Sequence, residues 1–291
     1  MREISDDFDV ICVADGPRIS LALACHMLVA QKTCPAAKYH VAVPKDAGFQ
    51  HEAAERVITS LATSIYEIPA PTTIIDGKLY RLENKINAMK FYKASPAILI
   101  DSDLLFLRPL PANYAIRDVP AAVPEHGLHE YPWERLYETL SLEMPRVKTL
   151  LGSGQISPPW LNAGLVATPN AEKFGHIWRM ASNFVLGCDW VPEHWPYLDQ
   201  ISLPLAIAMF SKSKTVNYDS ILPNQFNDNI FYWHPDQSYA SNSFVIHHHY
   251  RVGLLKRYVP RILSWVRDGN PVFDEVLNGL SMFDDAPRAE T

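Results

Sequence analysis

Two aspartates that follow an apolar segment have the spacing of a divalent-metal site. Asp101 and Asp103 come directly after Ile98–Ile100, a run without polar alternation that predicts a central strand covered on both faces. Residues two apart on an extended chain project to the same side, so both carboxylates can share one Mn²⁺ or Mg²⁺, which in turn neutralises a diphosphate. A solvated turn is the alternative. The second apolar segment, Leu104–Leu107, favours a metal site because bare carboxylates are costly to bury.

A run of histidines near the other end of the chain supplies further candidate ligands. Ser243–Ile246 predicts a short strand that ends in His247, His248 and His249. Alternation along a strand puts His247 and His249 on one side and His248 on the other, so we expect the ligands to come from the first pair. Neutral imidazole suits manganese beside carboxylates. Histidines that only pack in the core or lie on the surface remain the alternative.

Two further motifs place polar residues near the start of a predicted strand or helix. Asn162, Ala163 and Gly164 open a predicted strand, and Asp199-Gln200 precedes a helix predicted from Ile201. The Asp199 carboxylate could act in a site or cap that helix, and both roles are compatible.

Lys85 belongs to a predicted basic helix, 79–93, which leads into the acidic strand. This ammonium group could reach a diphosphate, and a solvated helix face is the alternative.

The composition excludes several classes of protein. The chain has 291 residues, a net charge of −6 and no basic tract, which argues against nucleic-acid binding. No apolar stretch reaches the ~18 residues of a membrane span, and no signal peptide is visible. The four cysteines lack CxxC spacing and suit buried thiols in a reducing compartment. We expect a cytoplasmic protein that can touch the inner face of a membrane transiently.

The remaining pattern alternates strands and helices. Strands are predicted over 8–14, 39–43, 64–68, 98–100, 159–167 and 243–246, and helices over 19–31, 53–63, 79–93, 133–142, 172–186 and 201–210. Such alternation implies parallel strands with right-handed crossovers and ligands at the carboxyl ends of strands. Asp15 and the Asp101/Asp103 pair fall at such ends. Neither usual glycine-rich phosphate loop is present.

An irregular, proline-rich stretch interrupts this alternation at 119–159. Long irregular segments in a compact domain are typically lids or binding loops, and we expect the loop 126–157 to close over a site and exclude water. Four tryptophans could stack on sugars, although each alone is typical of core packing: Trp160, Trp190, Trp195 and Trp233.

The order of these motifs resembles that of the GT-A glycosyltransferases, most closely the retaining family 8 type, relatives of glycogenin and the bacterial lipooligosaccharide galactosyltransferases. The resemblance covers about residues 8–256. It implies an α/β, Rossmann-like central mixed sheet flanked by helices in a single domain of residues 1–282. A nucleotide-binding half would span about 8–110, an acceptor and donor-sugar half about 111–282, and a flexible tail 283–291.

The resemblance also implies roles for individual residues. Asp101 and Asp103 would hold the cation, usually manganese, with the histidine run completing the site. Asp199 and Gln200 would be catalytic, with Gln200 near the reacting carbon. The donor would contact the following residues: Ala14, Asp15, Lys85, Ser102, Asn162, Ala163 and Gly164.

Two departures favour a related GT-A branch over the narrow family. Ile201 stands where the family often has a further Asp after Asp-Gln. The late motif His249–Lys256 has one residue more than His-x-x-Gly-x-x-Lys, and Pro-Trp does not follow it.

The expected function is metal-dependent transfer of a hexose, with retention, from a nucleotide-diphosphate sugar such as a UDP-sugar. The acceptor would be a saccharide, a lipid-linked molecule or a protein. One alternative is a GT-A-like binding protein without activity. Another is a haloacid-dehalogenase-like phosphatase, whose Asp-x-Asp lies on the opening strand of its core domain, whereas three predicted strands precede Asp101 here.

Overall fold

The computed structural model describes residues 7–93, 96–111, 118–125, 131–143, 149–150, 156–157, 160–192, 194–211, 222–230, 243–268 and 270–284. The strands are β1 (Phe8–Val13), β2 (Ala37–Pro44), β3 (Ser64–Ile68), β4 (Ile74–Ile75), β5 (Lys78–Leu79), β6 (Ala97–Ile100), β7 (Leu104–Phe106), β8 (Ala121–Pro124), β9 (Thr149–Leu150), β10 (Ile156–Ser157), β11 (Leu161–Thr168), β12 (Asp228–Asn229) and β13 (Val245–His247). The helices are α1 (Gly16–Thr33), α2 (Glu52–Leu61), α3 (Glu83–Phe91), α4 (Trp133–Thr139), α5 (Ala171–Leu186), α6 (His194–Ser211), α7 (Val252–Tyr258), α8 (Pro260–Arg267) and α9 (Val272–Ser281).

Residue contacts divide the chain into two compact units, each discontinuous in sequence. Unit 1 comprises Met1–Ala70, Ile98–Ala112 and Asn224–Thr291, and unit 2 comprises Pro71–Ala97 and Asn113–Pro223. The contiguous halves 8–110 and 111–282 and the tail 283–291 stay predictions, and most of that tail lies outside the described residues.

The main sheet of unit 1 has the strand order β3-β2-β1-β6. β1 pairs in parallel with β2, and β2 with β3, so that Val10 lies opposite Tyr39 and Val41 opposite Ile65. All residues of β6 are buried, as its unbroken apolar run predicts. A second sheet, β12-β13-β7, pairs β13 antiparallel to β7. Both sheets therefore end near Asp101–Asp103, where the chain passes from β6 to β7.

A buried histidine attaches α1 to the strand after the acidic pair. His26 is completely buried, with its Nδ1 2.7 Å from the Leu104 carbonyl oxygen and its Nε2 2.7 Å from the Tyr39 hydroxyl. A carbonyl can only accept, so Nδ1 carries the proton and the tyrosine hydroxyl donates to Nε2. Burial lowers the pKa of His26 to about 4, although the Leu104 carbonyl opposes this shift.

In unit 2, an antiparallel strand pair and three helices carry the polar motifs. β8 pairs with β11, with an irregularity in register between Asn162 and Val166. Helix α5 begins where the Asn170 side chain caps the Lys173 amide at 2.9 Å, and it packs on α3 and α6. At Gly175 the backbones of α5 and α3 approach so closely that a Cβ would lie 2.4 Å from the Lys90 nitrogen.

The predicted α/β fold with a mixed sheet flanked by helices is confirmed, because unit 1 supplies parallel pairs and unit 2 an antiparallel one. The predicted helix 79–93 starts later, at Glu83, because β4 and β5 form a hairpin around Asp76-Gly77, both with positive φ. The last helix of unit 2 starts earlier than Ile201, at His194, with non-helical angles at Trp195 and Pro196. None of the described helices is long and apolar enough to cross a membrane.

Gly175→Ala is expected to destabilise the protein by about 1–3 kcal/mol, because the new methyl group would overlap the α3 backbone. The free energy of unfolding in urea measures this effect. Gly187→Ala, at the end of the same helix, is the matched control, since its Cβ would lie 3.4 Å from the nearest atom and should change stability by less than about 0.5 kcal/mol. Equal effects of the two variants would contradict the close approach.

Protonation of His26 is expected to destabilise the protein in acid. The folded-state pKa of about 4 lies below the ordinary value of 6.5, so the unfolded chain binds the proton first. The contribution of a neutral His26 is complete above pH 6.5 and falls as the pH drops towards 4, by about 2–3 kcal/mol. His26→Gln, which does not titrate, should reduce the fall in unfolding free energy between pH 7 and pH 4.5 by that amount. An unchanged pH dependence would show that the pKa of His26 is the same in the folded and unfolded states.

Candidate active site

The acidic pair lies in a turn between two buried strands of unit 1. The chain leaves β6 at Ile100, turns through Asp101 to Asp103, and enters β7 at Leu104. Asp103 is 4% exposed and Ser102 5%, whereas Asp101 is half-buried. In the β7–β13 register, Leu104 lies opposite His247. The late strand therefore delivers its histidine beside Asp103.

Asp103, His247 and His249 form a group that could hold a metal ion. His247 Nε2 lies 3.1 Å and His249 Nδ1 4.0 Å from Asp103 Oδ2, and one ligand atom from each residue lies within 4.8 Å of the others. The two imidazole rings stack with centroids 3.9 Å apart. One carboxylate and two imidazoles are a donor set that suits a divalent transition metal such as manganese. Asp101 lies outside this group and stays a predicted ligand.

His249 reaches this group by a turn rather than by strand alternation. β13 ends at His247, and both His249 and Tyr250 have left-handed backbone angles, with φ of 50° and 60°. Such angles cost non-glycine residues on the order of 1–3 kcal/mol and tend to be kept at functional sites. His248 instead points into the core, where burial lowers its pKa to about 3 against the opposing charge of Asp103. His248 therefore lies apart from His247 and His249 as expected, although a turn and not strand alternation separates them.

The charge state of Asp103 suits a ligand role. Burial by itself raises the pKa of this carboxyl group. The charge and hydrogen bond of His247, with smaller effects of His249 and His248, outweigh burial and bring the pKa below its ordinary value. Asp103 is thus an ionised carboxylate, the form that binds cations.

A cation that the sequence analysis missed lies at this end of unit 1. The Arg18 guanidinium stands 4.4 Å from the centre of the Tyr250 ring, and the Tyr250 hydroxyl is 3.3 Å from Ser102 Oγ. Arg18 is in the first turn of α1, three residues after the predicted donor contact Asp15. Ala14 and Asp15 are buried at the end of β1. The signal in the sequence that could have indicated Arg18 is its position, three residues after the aspartate at the end of β1.

In unit 2, Asp199 is buried with both carboxylate oxygens engaged. Tyr80 donates its hydroxyl hydrogen to Asp199 Oδ1 at 2.9 Å and accepts the Asp199 amide at 2.9 Å. Lys85 Nζ lies 3.3 Å from Oδ2, and the Asp199 side chain is 2% exposed. Asp199 lies inside α6, so the alternative that it caps a helix beginning near Ile201 is wrong. The structure thus joins the predicted residues Lys85 and Asp199.

The helix that carries Lys85 is held by a buried acid. Glu83 accepts hydrogen bonds from the Thr72 and Thr73 amides at 3.0 and 2.8 Å, and from Arg179 at 2.6 Å. Arg179 also donates to Asn87 Oδ1 at 2.7 Å. Burial raises the pKa of Glu83, but the Thr73 hydrogen bonds and Arg179 more than offset this, so the pKa is lowered. Helix α3 is therefore fixed on α5 by charge as well as by close packing.

The Asn-Ala-Gly motif and Gln200 have side-chain partners that sequence reasoning missed. Asn162 accepts the Gly164 amide on Oδ1 at 2.7 Å and donates through Nδ2 to Glu125, directly after β8. Ala163 is buried in the same strand. Trp160 donates its indole hydrogen to Gln200 Oε1 at 2.8 Å. Of the predicted lid, 126–157, the stretches 126–130, 144–148 and 151–155 lie outside the described residues.

Comparison with known proteins agrees with this fold. Residues 10–211, more than half of the chain, match the family model of the Rhodobacterales glycosyltransferase domain. The chain belongs to this family and is a glycosyltransferase. Comparison of the sequence with curated proteins finds no match.

Solved glycosyltransferases share the fold at low sequence identity. A galactosyltransferase LgtC in complex with donor and acceptor sugar analogues is 14% identical, with a TM-score of 0.59 over 90% of this chain and 96% of that one. The bifunctional WbbM is 11% identical, with a TM-score of 0.55 over 96% of this chain and 53% of its own. GlyE of Streptococcus pneumoniae TIGR4 is 13% identical, with a TM-score of 0.51 over 98% and 66%. This chain thus spans about half of WbbM and two thirds of GlyE.

Tyr80→Phe is expected to destabilise the protein by about 1–3 kcal/mol, since both the Asp199 amide and Oδ1 would lose a partner in a buried place. Urea unfolding measures the loss. Tyr66→Phe is a comparison at a half-buried tyrosine of unit 1 that is remote in sequence from Asp199. If Tyr80→Phe were as stable as the parent protein, the Tyr80–Asp199 pair would not be an important contact.

Proposed function

We propose that the protein is a metal-dependent hexosyltransferase. It takes the sugar from a nucleotide-diphosphate sugar, a UDP-sugar, and transfers it with retention to a saccharide, a lipid-linked molecule or a protein. The observation that carries the metal dependence is the group formed by Asp103, His247 and His249, in which a buried carboxylate faces two imidazoles. Retention and the UDP donor rest on the resemblance of the motifs to those of the retaining family 8 type.

The residues present fit a divalent cation. Asp103, His247 and His249 would hold it, with Asp101 from the same turn as a further oxygen ligand. A cation bound there would act as a Lewis acid that neutralises the leaving diphosphate. The left-handed turn at His249 and Tyr250 favours a cation site, since it brings a second imidazole to Asp103 at a cost in backbone energy.

The groups of unit 2 would handle the sugar. Lys85 would keep a positive charge near the donor because Asp199 and Tyr80 hold it in place. Asn162, Ala163 and Gly164 would line the sugar pocket, with the Asn162 amide oriented by Glu125. Asp199 would stabilise oxocarbenium character or position the acceptor hydroxyl, and Gln200 would stand beside the reacting carbon.

We further propose a cytoplasmic location, with transient contact at the inner face of a membrane where lipid-linked acceptors are found. The four cysteines support a reducing compartment, because all are buried free thiols. Burial raises the pKa of Cys25 to about 12, so this thiol stays protonated and inert.

A thermal-shift panel tests the donor and the metal together. UDP-glucose, UDP-galactose, UDP-N-acetylglucosamine and GDP-mannose are each added with MnCl₂ or with EDTA. One UDP-sugar with Mn²⁺ should raise the melting temperature by about 5 °C at saturation, because ligands that bind only the folded state stabilise it. A shift with GDP-mannose alone would contradict the UDP donor. Equal shifts in EDTA would contradict the metal.

Variants of the metal group sharpen this test. Asp103→Asn, and His247→Ala or His249→Ala, should weaken Mn²⁺ activation by at least about tenfold through loss of a ligand. The measurement is the Mn²⁺ concentration that gives half-maximal UDP-sugar hydrolysis. His248→Leu is the control, because the ring nitrogens of His248 make no hydrogen bond within the described part of the chain. Parental Mn²⁺ dependence in both histidine-to-alanine variants would remove the histidines from the site.

A further inference from the structure

The hydrogen bond between Trp160 and Gln200 fixes which end of the Gln200 amide faces the protein. The indole Nε1 of Trp160 lies 2.8 Å from Oε1 of Gln200. An indole N–H donates and cannot accept, so the amide atom in front of it must be the carbonyl oxygen. This chemistry settles the orientation of an amide whose oxygen and nitrogen have nearly the same shape.

Trp160 is itself held in place by other aromatic rings. It is 2% exposed, and three rings meet it nearly edge-on, with centroids at 4.8 Å (Tyr131), 5.7 Å (Trp133) and 6.1 Å (Tyr197). A ring enclosed in this way cannot redirect its N–H without disturbing its neighbours. The donor that faces Gln200 is therefore rigid.

The side-chain amides of Asn162 and Gln200 differ in which of their atoms remain available to a ligand. Asn162 uses its oxygen for the Gly164 amide and its nitrogen for Glu125. Within the described part of the chain, the Gln200 side chain makes its hydrogen bond to Trp160, and this bond engages the amide oxygen and not the amide nitrogen. Gln200 is half-buried, so its NH₂ group is the end that a bound molecule can meet.

We propose that Trp160 is a positioning residue that makes Gln200 a hydrogen-bond donor to an oxygen atom of the donor sugar. This inference rests on the proposed function, in which Gln200 stands beside the reacting carbon. The Gln200 carbonyl oxygen, engaged by the indole, is neither the base nor the nucleophile of the reaction. Gln200 and Lys85 then both present N–H groups to the donor, which suits oxygen atoms that gain negative charge.

The first experiment observes the hydrogen bond without any substrate. The chain has seven tryptophans, and in protein labelled with ¹⁵N-tryptophan the indole signal missing from Trp160→Phe identifies Trp160. Gln200→Met removes the acceptor and keeps the side-chain length. The Trp160 signal should then move upfield by more than any other indole signal. An unmoved signal would overturn the proposal.

The second experiment asks whether Trp160 acts through Gln200. The assay is Mn²⁺-dependent hydrolysis of whichever of UDP-glucose and UDP-galactose gives the larger thermal shift. Trp160→Phe keeps the packed ring and loses the N–H, so kcat should fall about tenfold as the amide becomes free to rotate, with KM nearly unchanged. In a Gln200→Met background, Trp160→Phe should have no further effect on kcat.

Trp133→Phe is the matched control. Trp133 is 3% exposed and belongs to the same ring cluster, but its Nε1 makes no hydrogen bond within the described part of the chain. It should retain the parental kcat. Equal losses in Trp133→Phe and Trp160→Phe, or an undiminished effect of Trp160→Phe in the Gln200→Met background, would show a merely structural role and overturn the proposal.

Failure of the proposed function gives a different result. If the parent protein neither binds nor hydrolyses any of the UDP-sugars while the indole signal moves in Gln200→Met, the oriented amide is upheld. The donor-sugar role of Gln200 is then overturned together with the proposed function.

Discussion

A buried carboxylate must have compensating partners, and the two sites of this protein are built around that requirement. Asp103 in unit 1 is compensated by histidines that arrive because β13 pairs with β7 in one register. A shift of that register by one residue would turn His247 away from the acid. The left-handed turn that follows then adds His249. Strand pairing, backbone conformation and the charge of Asp103 are therefore parts of one arrangement.

Unit 2 meets the same requirement with different chemistry. Asp199 is compensated by a hydroxyl and an ammonium group rather than by imidazoles. Its partner Lys85 lies on α3, which is held on α5 by the Glu83–Arg179 pair and by the close contact at Gly175. Removing one member of a buried ion pair usually costs more than the pair contributes, since the other charge is left alone. The position of Lys85 therefore depends on Glu83, two residues before it on α3, and on Arg179 of α5.

Local patterns in the sequence point to several members of the candidate site, whereas their side-chain partners required the fold. The apolar strand before Asp103 and the strand before His247 are visible in sequence because burial on two faces leaves a continuous apolar run. Tyr80 and Trp160 carry no such pattern, since a tyrosine or tryptophan is equally common in a plain core. The late start of α3 had a readable signal, the Asp-Gly pair at positions 76 and 77, which favours a tight hairpin. The early start of α6 has no comparable signal, because Trp195 and Pro196 near its beginning have non-helical backbone angles.

The contact at Gly175 also bears on how this part of the protein can move. Where α3 and α5 cross at Gly175, the two backbones are in direct contact without side chains between them. This contact prevents one helix from sliding along the other. Any rearrangement that displaces Lys85 must then carry α5 with it, or separate the helices entirely. Amide hydrogens of the two helices should accordingly become accessible to solvent in one cooperative opening, with a common free energy, rather than in two independent events.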